Sequence, residues 1–121
     1  MKEFFIPLNC PSSKNSKQWT GNALIWGKAA QKYRRETTLI WKALRSSFIK
    51  EFESKEKPVR ISFTFIRGTH HKFDYSGPLE TIQDLMVQFG WIEDDNADII
   101  LPVLEVYQYD KKNPGTIIKV L

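Results

Sequence analysis

The sequence has one cysteine, Cys10, and only two histidines, His70 and His71, in 121 residues. A lone cysteine excludes an internal disulfide and any zinc centre built from several thiolates, and it suits a reducing compartment. No apolar run reaches the roughly 20 residues that a membrane-crossing helix needs. The N-terminal MKEFFIPLNC holds too short an apolar stretch for a secretory signal. A cytoplasmic protein with no membrane partner is therefore expected. The absence of internal repeats and low-complexity segments, at this length, points to a single domain spanning residues 1–121.

The most informative absence is local. From Asp74 to Asp98 there is no lysine or arginine, although the chain carries 18 of them. The same stretch holds Asp74, Glu80, Asp84, Glu93, Asp94, Asp95 and Asp98, seven of the 14 acidic residues. The rest of the chain then has 18 basic residues against seven acidic ones, a net +11 around one acidic island. A basic body around clustered carboxylates suits a protein that holds a polyanion and sets metal-binding groups against it.

Residues 2–8 predict a first strand ended by Pro7 and a turn. The polar loop from Pro11 to Gly21 carries Lys14, Asn15, Lys17 and Trp19, a mixture suited either to phosphates and a stacked base or to plain solvation. Ala23–Trp26 predicts a short second strand. From Lys28 to about Phe52 the spacing is helical, with Tyr33, Thr37, Ile40, Trp41, Leu44, Phe48 and Phe52 on one face. Lys28, Lys32, Arg34 and Arg35 lie elsewhere on that helix, with Glu36 the sole acidic residue before Glu51. Alternation over 59–66 predicts a strand with Ile61, Phe63 and Phe65 inward, and the loop 67–73 brings Arg67, His71 and Lys72 to Asp74. Adjacent histidines in an extended segment point apart, so a metal shared by His70 and His71 is disfavoured.

Ser76, Gly77 and Pro78 predict a helix start, with Glu80 near its free N–H groups, and Gly90 predicts its stop. Leu79, Ile82, Leu85, Met86 and Phe89 form its apolar stripe, and Glu80 and Asp84 share the opposite face. Ile99–Tyr109 predicts one strand, DKKNPG (110–115) a reversing turn, and 116–121 a closing strand. The fold class expected is α+β, a mixed sheet of about four strands packed against two helices, ending in a hairpin. One helix length separates the two acidic ends, and an up-and-back path would bring them to one site.

An Asp before a helix start, an Asp ten residues on, a Gly, then an Asp-Asp pair stand here as Asp74, Asp84, Gly90, and Asp94 with Asp95. This order resembles the RusA family of crossover-junction (Holliday junction) endodeoxyribonucleases. The PSSKN segment (11–15) after a first strand fits the same family. The resemblance implies a RusA-like domain acting as a homodimer on branched DNA, the four-way junction, with no small-molecule cofactor. It also implies Mg²⁺ or Mn²⁺ held by Asp74, Asp94 and Asp95, with Asp84 as a further ligand or water-orienting group. Three positions depart from the family core: Ser76 stands for its second Asp, Gly77 for an Asn and Glu80 for a Lys. Glu80 carries a longer side chain one turn from Ser76, so a relocated carboxylate would complete the set Asp74, Glu80, Asp84 and Asp95.

Phosphodiester hydrolysis needs an activated water and neutralisation of charge on the phosphate, and carboxylate-bound Mg²⁺ supplies both. Lys14, Asn15, Lys17, Lys28, Lys32, Arg35, Arg67, His71 and Lys72 are the candidate DNA contacts. Two other readings stay open: a junction-binding protein with weakened or lost cleavage, and a basic domain whose acidic island serves a protein partner. Asp94, Asn96, Asp98 and Glu105 also match positions of a Ca²⁺-binding loop, but Ile99 stands where that loop needs Gly and a strand is expected to follow.

Overall fold

The computed structural model describes residues 2–12, 17–19 and 24–121, the strands at 17–19 and 24–26 by backbone alone. Each element follows from local pattern. In β1 (Glu3–Pro7) alternation turns Phe4 and Ile6 inward and leaves Phe5 outside. β2 (Lys17–Trp19) and β3 (Leu24–Trp26) pair as a separate antiparallel ribbon. Lys17–Trp19 is therefore a strand, not part of the expected loop. α1 (Lys28–Glu53) buries Tyr33, Thr37, Trp41, Phe48 and Phe52, with Ile40 and Leu44 partly buried, which is the predicted stripe.

β4 (Val59–Arg67) turns Ile61, Phe63 and Phe65 into the core. α2 (Ser76–Gln88) buries Ile82, Leu85 and Met86. It ends at Gly90, whose φ of +74° lies in the left-handed region where a side chain would be strained. The Gly90 N–H donates to Val87 O and the Trp91 N–H to Met86 O, the paired bonds that close a helix on such a residue. β5 (Ile100–Leu104), β6 (Gln108–Tyr109) and β7 (Gly115–Val120) complete the chain.

The main sheet has five strands in the order β1-β7-β4-β5, and β6 pairs with β4 beyond the end of β5. β7 is antiparallel to both β1 and β4, whereas β5 and β6 run parallel to β4. The class is α+β as expected, but two expectations fail. The terminal hairpin does not exist, because β7 inserts between β1 and β4 instead of pairing with the strand before it. Turn chemistry does reverse the chain, with Asp110 Oδ1 accepting the N–H groups of Lys112 and Asn113. The reversing segment then crosses the end of β4, about two strand spacings or 10 Å, with Pro114 against Gly68. The strand expected at 99–109 is also broken, at Glu105–Tyr107. Among the described residues no helix is long and apolar enough to cross a membrane.

Aromatic rings centre the core. Trp91 lies edge-on to Trp41 (4.7 Å between centroids) and Phe4 (5.8 Å) and stacks on Phe48 (4.5 Å). Its indole N–H donates to the Trp41 carbonyl at 2.8 Å. This one side chain joins the segment after α2 to α1 and the sheet. Trp91→Ala should cost about 3–5 kcal/mol through the cavity and the orphaned carbonyl, read as a lowered midpoint in urea denaturation.

Candidate functional site

Position in the site is set by the ends of β4. Its exit, at Arg67, meets the chain leaving β1, the start of α1 and the start of α2. Asn9 Oδ1 accepts the Gly68 N–H, and Arg67 Nη1 donates to the Cys10 carbonyl at 3.0 Å. Thr81 Oγ1 donates to the Pro11 carbonyl at 2.9 Å, and the Cys10 thiol faces Pro78 O. Ser12 packs so closely on Gly77 that a Cβ there would collide with it. Residues 9–12 thus strap three elements together.

Against this strap lies a cleft of about 690 Å³ lined by Ser12, Arg67, His71, Lys72, Asp74 and Gly77, among others. Arg67 forms its inner wall. The residue is only 9% exposed, its guanidinium lies over the Phe73 ring at 4.4 Å, and its Nε has no hydrogen-bond partner among the described residues. Burial lowers its pKa, but an arginine stays charged at any working pH. Tyr75, the residue before α2, makes no side-chain cap hydrogen bond among the described residues, and the first turn holds no acidic residue. Glu80 is the fifth residue of α2 and lies just past its first turn. Cation, hydroxyl and helix start therefore face one space, an arrangement suited to a phosphate oxygen. Asp74 is exposed at the rim.

The other acidic end lies elsewhere. Val59 pairs with Ile100 at the entry of β4, and Ile66 pairs with Gln108 near its exit. Asp94, Asp95 and Asp98 directly precede Ile99, whose carbonyl accepts the Val59 N–H, so they sit at the entry end. The nine residues of β4 span about 26 Å, and the 13 residues of α2 about 20 Å. The expected up-and-back path exists, but it runs helix down and strand up, so Asp74 and the Asp94–Asp95 pair finish at opposite ends. Glu80, exposed, lies towards the Asp74 end and Asp84, half-buried, lies mid-helix.

Asp94 has a structural part to play. Its carboxylate accepts the Asp95 N–H and the Asn96 side-chain amide, both at 2.8 Å, and Asn96 Oδ1 accepts the Asp98 N–H. These bonds, the Asn96 amide first, hold the Asp94 pKa below the usual carboxylate range. The segment is thus a polar turn feeding β5, and no Ca²⁺-loop helix follows. Among the described residues no three His, Cys, Asp or Glu side chains gather as a metal-holding group. Of the carboxylates expected to share one Mg²⁺, Asp74 lies at the exit end of β4 and Asp94 and Asp95 at its entry end.

Of the expected DNA contacts, Arg67, His71 and Lys72 share the cleft, and the exposed Lys28 and Lys32 lie at the start of α1, where Ala29 lines it. Lys32 also pairs with Glu36 at 3.8 Å. Arg35 is exposed on α1. Lys14 and Asn15 lie outside the described residues, as do the Lys17 and Trp19 side chains.

Two features escaped sequence reasoning. Beneath the cleft Cys10, Tyr33, Arg67 and Thr116 form a buried polar group, in which Cys10 is 2% exposed. Nothing in the sequence marks this, because the four come from separate elements. Tyr107 and Tyr109 remain exposed beside the site; a tyrosine at alternate positions before a turn reads equally as strand.

The chain matches no family model and no curated protein.

Burial pushes the Cys10 thiol and the Tyr33 hydroxyl well above their ordinary pKa values of 9.0 and 10.0. Above pH 9 the unfolded chain then holds fewer protons than the folded one, so stability falls as pH rises. The slope is at most about 1.4 kcal/mol per pH unit for each group. Urea midpoints at pH 8, 9.5 and 10.5 should decline in turn, and Cys10→Ala should flatten the first part of the decline.

Proposed function

We propose that this protein is a metal-dependent, structure-selective endodeoxyribonuclease of RusA type, acting as a homodimer on four-way DNA junctions in recombination or repair, in the cytoplasm. The observation that carries this reading is the cleft at the exit of β4, where Asp74 lies with Arg67, Lys72, His71 and the start of α2. A carboxylate beside phosphate-binding groups, in an otherwise basic chain, is the arrangement a phosphodiester-cleaving site needs.

The separation of the acidic ends gives the homodimer a chemical role. Each chain offers Asp74, with Glu80 nearby, at one end and Asp94 with Asp95 at the other. Two chains related by a two-fold axis can set the first end of one against the second end of its partner, twice over. When bound there, Mg²⁺ or Mn²⁺ supplies an acidified water and neutralises charge on the phosphate. Arg67 and Lys72 hold the phosphate, and the Phe73 ring keeps the Arg67 guanidinium in place.

A second reading is favoured by a specific observation. Ser76 stands where the resemblance calls for an Asp, and among the described residues no three acidic, His or Cys side chains gather. A protein of this kind would bind junctions without cutting them.

The test is cleavage of a synthetic four-way junction with Mg²⁺, with Mn²⁺ and with neither, against a linear duplex. Wild type should nick the junction in metal alone, whereas Asp74→Asn and Asp95→Asn should bind as before and lose cutting by at least a hundredfold, the usual scale for a catalytic group. Mixing the two inactive variants should restore nicking of one strand, because a mixed dimer keeps one site with both native carboxylates. Tight binding with no cutting in either metal would select the second reading. Failure to bind the junction at low salt would sink both.

A further inference from the structure

The break in the sheet beside the cleft has its own architecture. Phe63 pairs with Leu104 and Ile66 with Gln108, so Thr64 and Phe65 of β4 lie opposite three residues, Glu105, Val106 and Tyr107. One extra residue in a paired strand is a bulge, a device that turns side chains away from the ladder, common beside functional sites. It is held on both sides, by the Glu105 N–H on Phe63 O and the Tyr107 N–H on Tyr75 Oη, each 3.0 Å. The extra residue pushes large side chains into solvent. Val106 is 80% exposed, Tyr107 51% and Tyr109 43%.

These residues form a ledge with rings already arranged for stacking. His70 lies on Tyr109 with centroids 3.7 Å apart and planes 24° from parallel, and both remain exposed. Tyr107 stands edge-on to Phe73 at 5.2 Å, so the ring that steadies Arg67 steadies the ledge as well. A hollow of about 370 Å³ lies between them, lined by His70, Tyr107 and the loop residues 71–75. Residues 71–74 line this hollow and the phosphate cleft alike. An aromatic ledge one loop away from a cationic cleft matches a nucleotide, whose flat base and charged phosphate must be met by different surfaces. Lys111 and Lys112, exposed on the following turn, extend the positive surface.

We infer that the ledge of His70, Tyr107 and Tyr109 stacks a base exposed at the branch point of the DNA strand whose phosphate lies in the Arg67 cleft. The inference rests on the DNA-binding reading above and adds to it the source of selectivity for branched DNA. In a continuous duplex every base is stacked on its neighbours, so the ledge has nothing to hold; at a branch point an unstacked base is available.

The experiment uses the full chain and a branched DNA carrying one unpaired 2-aminopurine at the branch point, with the same strand in a continuous duplex as control. Binding by wild type should quench the probe in the branched DNA and leave it unchanged in the duplex. Tyr109→Ala should lose the quenching and weaken branched-DNA binding about tenfold, the scale of one lost base-aromatic stack. Tyr107→Ala should do the same, whereas Tyr109→Phe and Tyr107→Phe should behave as wild type. Tyr109 joins β6 through its backbone and is exposed, so its alanine variant should keep the wild-type melting midpoint even if Tyr107→Ala does not. Alanine variants that bind and quench like wild type would overturn this inference and leave the DNA-binding reading standing. A wild type that binds no DNA at low salt would overturn both. Conversion of a dimer to a monomer by Tyr109→Ala, with DNA quenching unchanged, would assign the ledge to a second copy and overturn the inference too.

Discussion

Parallel pairing of β4 with β5 is the constraint from which the rest follows. Two neighbouring strands that run the same way must be joined by a crossover that returns the chain to the starting end. Here that crossover is the loop 68–75, α2 and the turn 89–99. Whatever precedes α2 is thereby fixed at the exit of β4, and whatever follows it at the entry. An antiparallel hairpin in the same place would have gathered all the carboxylates at one end. The register of five paired residues between β4 and β5, with Val59 on Ile100 and Phe63 on Leu104, leaves no room for that.

The exit end is correspondingly busy. It collects the strap 9–12, the start of both helices, the crossing segment before β7 and the bulge before β6. Such crowding has a physical cost, visible in buried polar atoms of Tyr33, Arg67 and Thr116 that have no partner among the described residues. It also has a consequence. A cation on a residue only 9% exposed, held by a carbonyl on one side and an aromatic face on the other, loses little further freedom when an anion arrives, unlike a lysine swinging in solvent. The same loop that positions Arg67 separates the Arg67 cleft from the aromatic ledge, so both are set by the backbone between Arg67 and Tyr75.

Much of this was legible in the sequence. Periodicity placed α1 and α2 and their buried faces, Gly90 marked the helix stop and alternation marked β1 and β4, because each of those signals is local. What was not legible is which strand sits beside which. Asp110 announces a reversal through its own hydrogen bonds, but only the vacancy between β1 and β4 decides where Thr116, Ile118 and Val120 go. The bulge at Glu105–Tyr107 was hidden for a similar reason, since a strand of alternating residues and one with an inserted residue differ only in what they pair with. For the site, the sequence grouped Asp74 with Arg67, His71 and Lys72 correctly, since they share one loop. It grouped Asp74 with Asp94 and Asp95 on the assumption that a helix and its return would close on themselves. They return along a parallel strand instead.

The separated carboxylates also bear on what the fold needs. Acidic side chains drawn together with no cation between them repel, and a chain that assembled such a site alone would carry that repulsion whenever the metal was absent. Here each acidic end has its own compensation. Asp74 lies near Lys72 and Arg67 at the exit, Glu93 pairs with Lys57 at 3.3 Å near the entry, and the Asp94 carboxylate is occupied by the turn it builds. Under the proposed dimeric reading, the cost of bringing carboxylates together would fall at the moment when two chains and a strand of DNA meet. On that same reading, a metal would be held tightly only in the assembled complex, and a single chain would leave a duplex uncut.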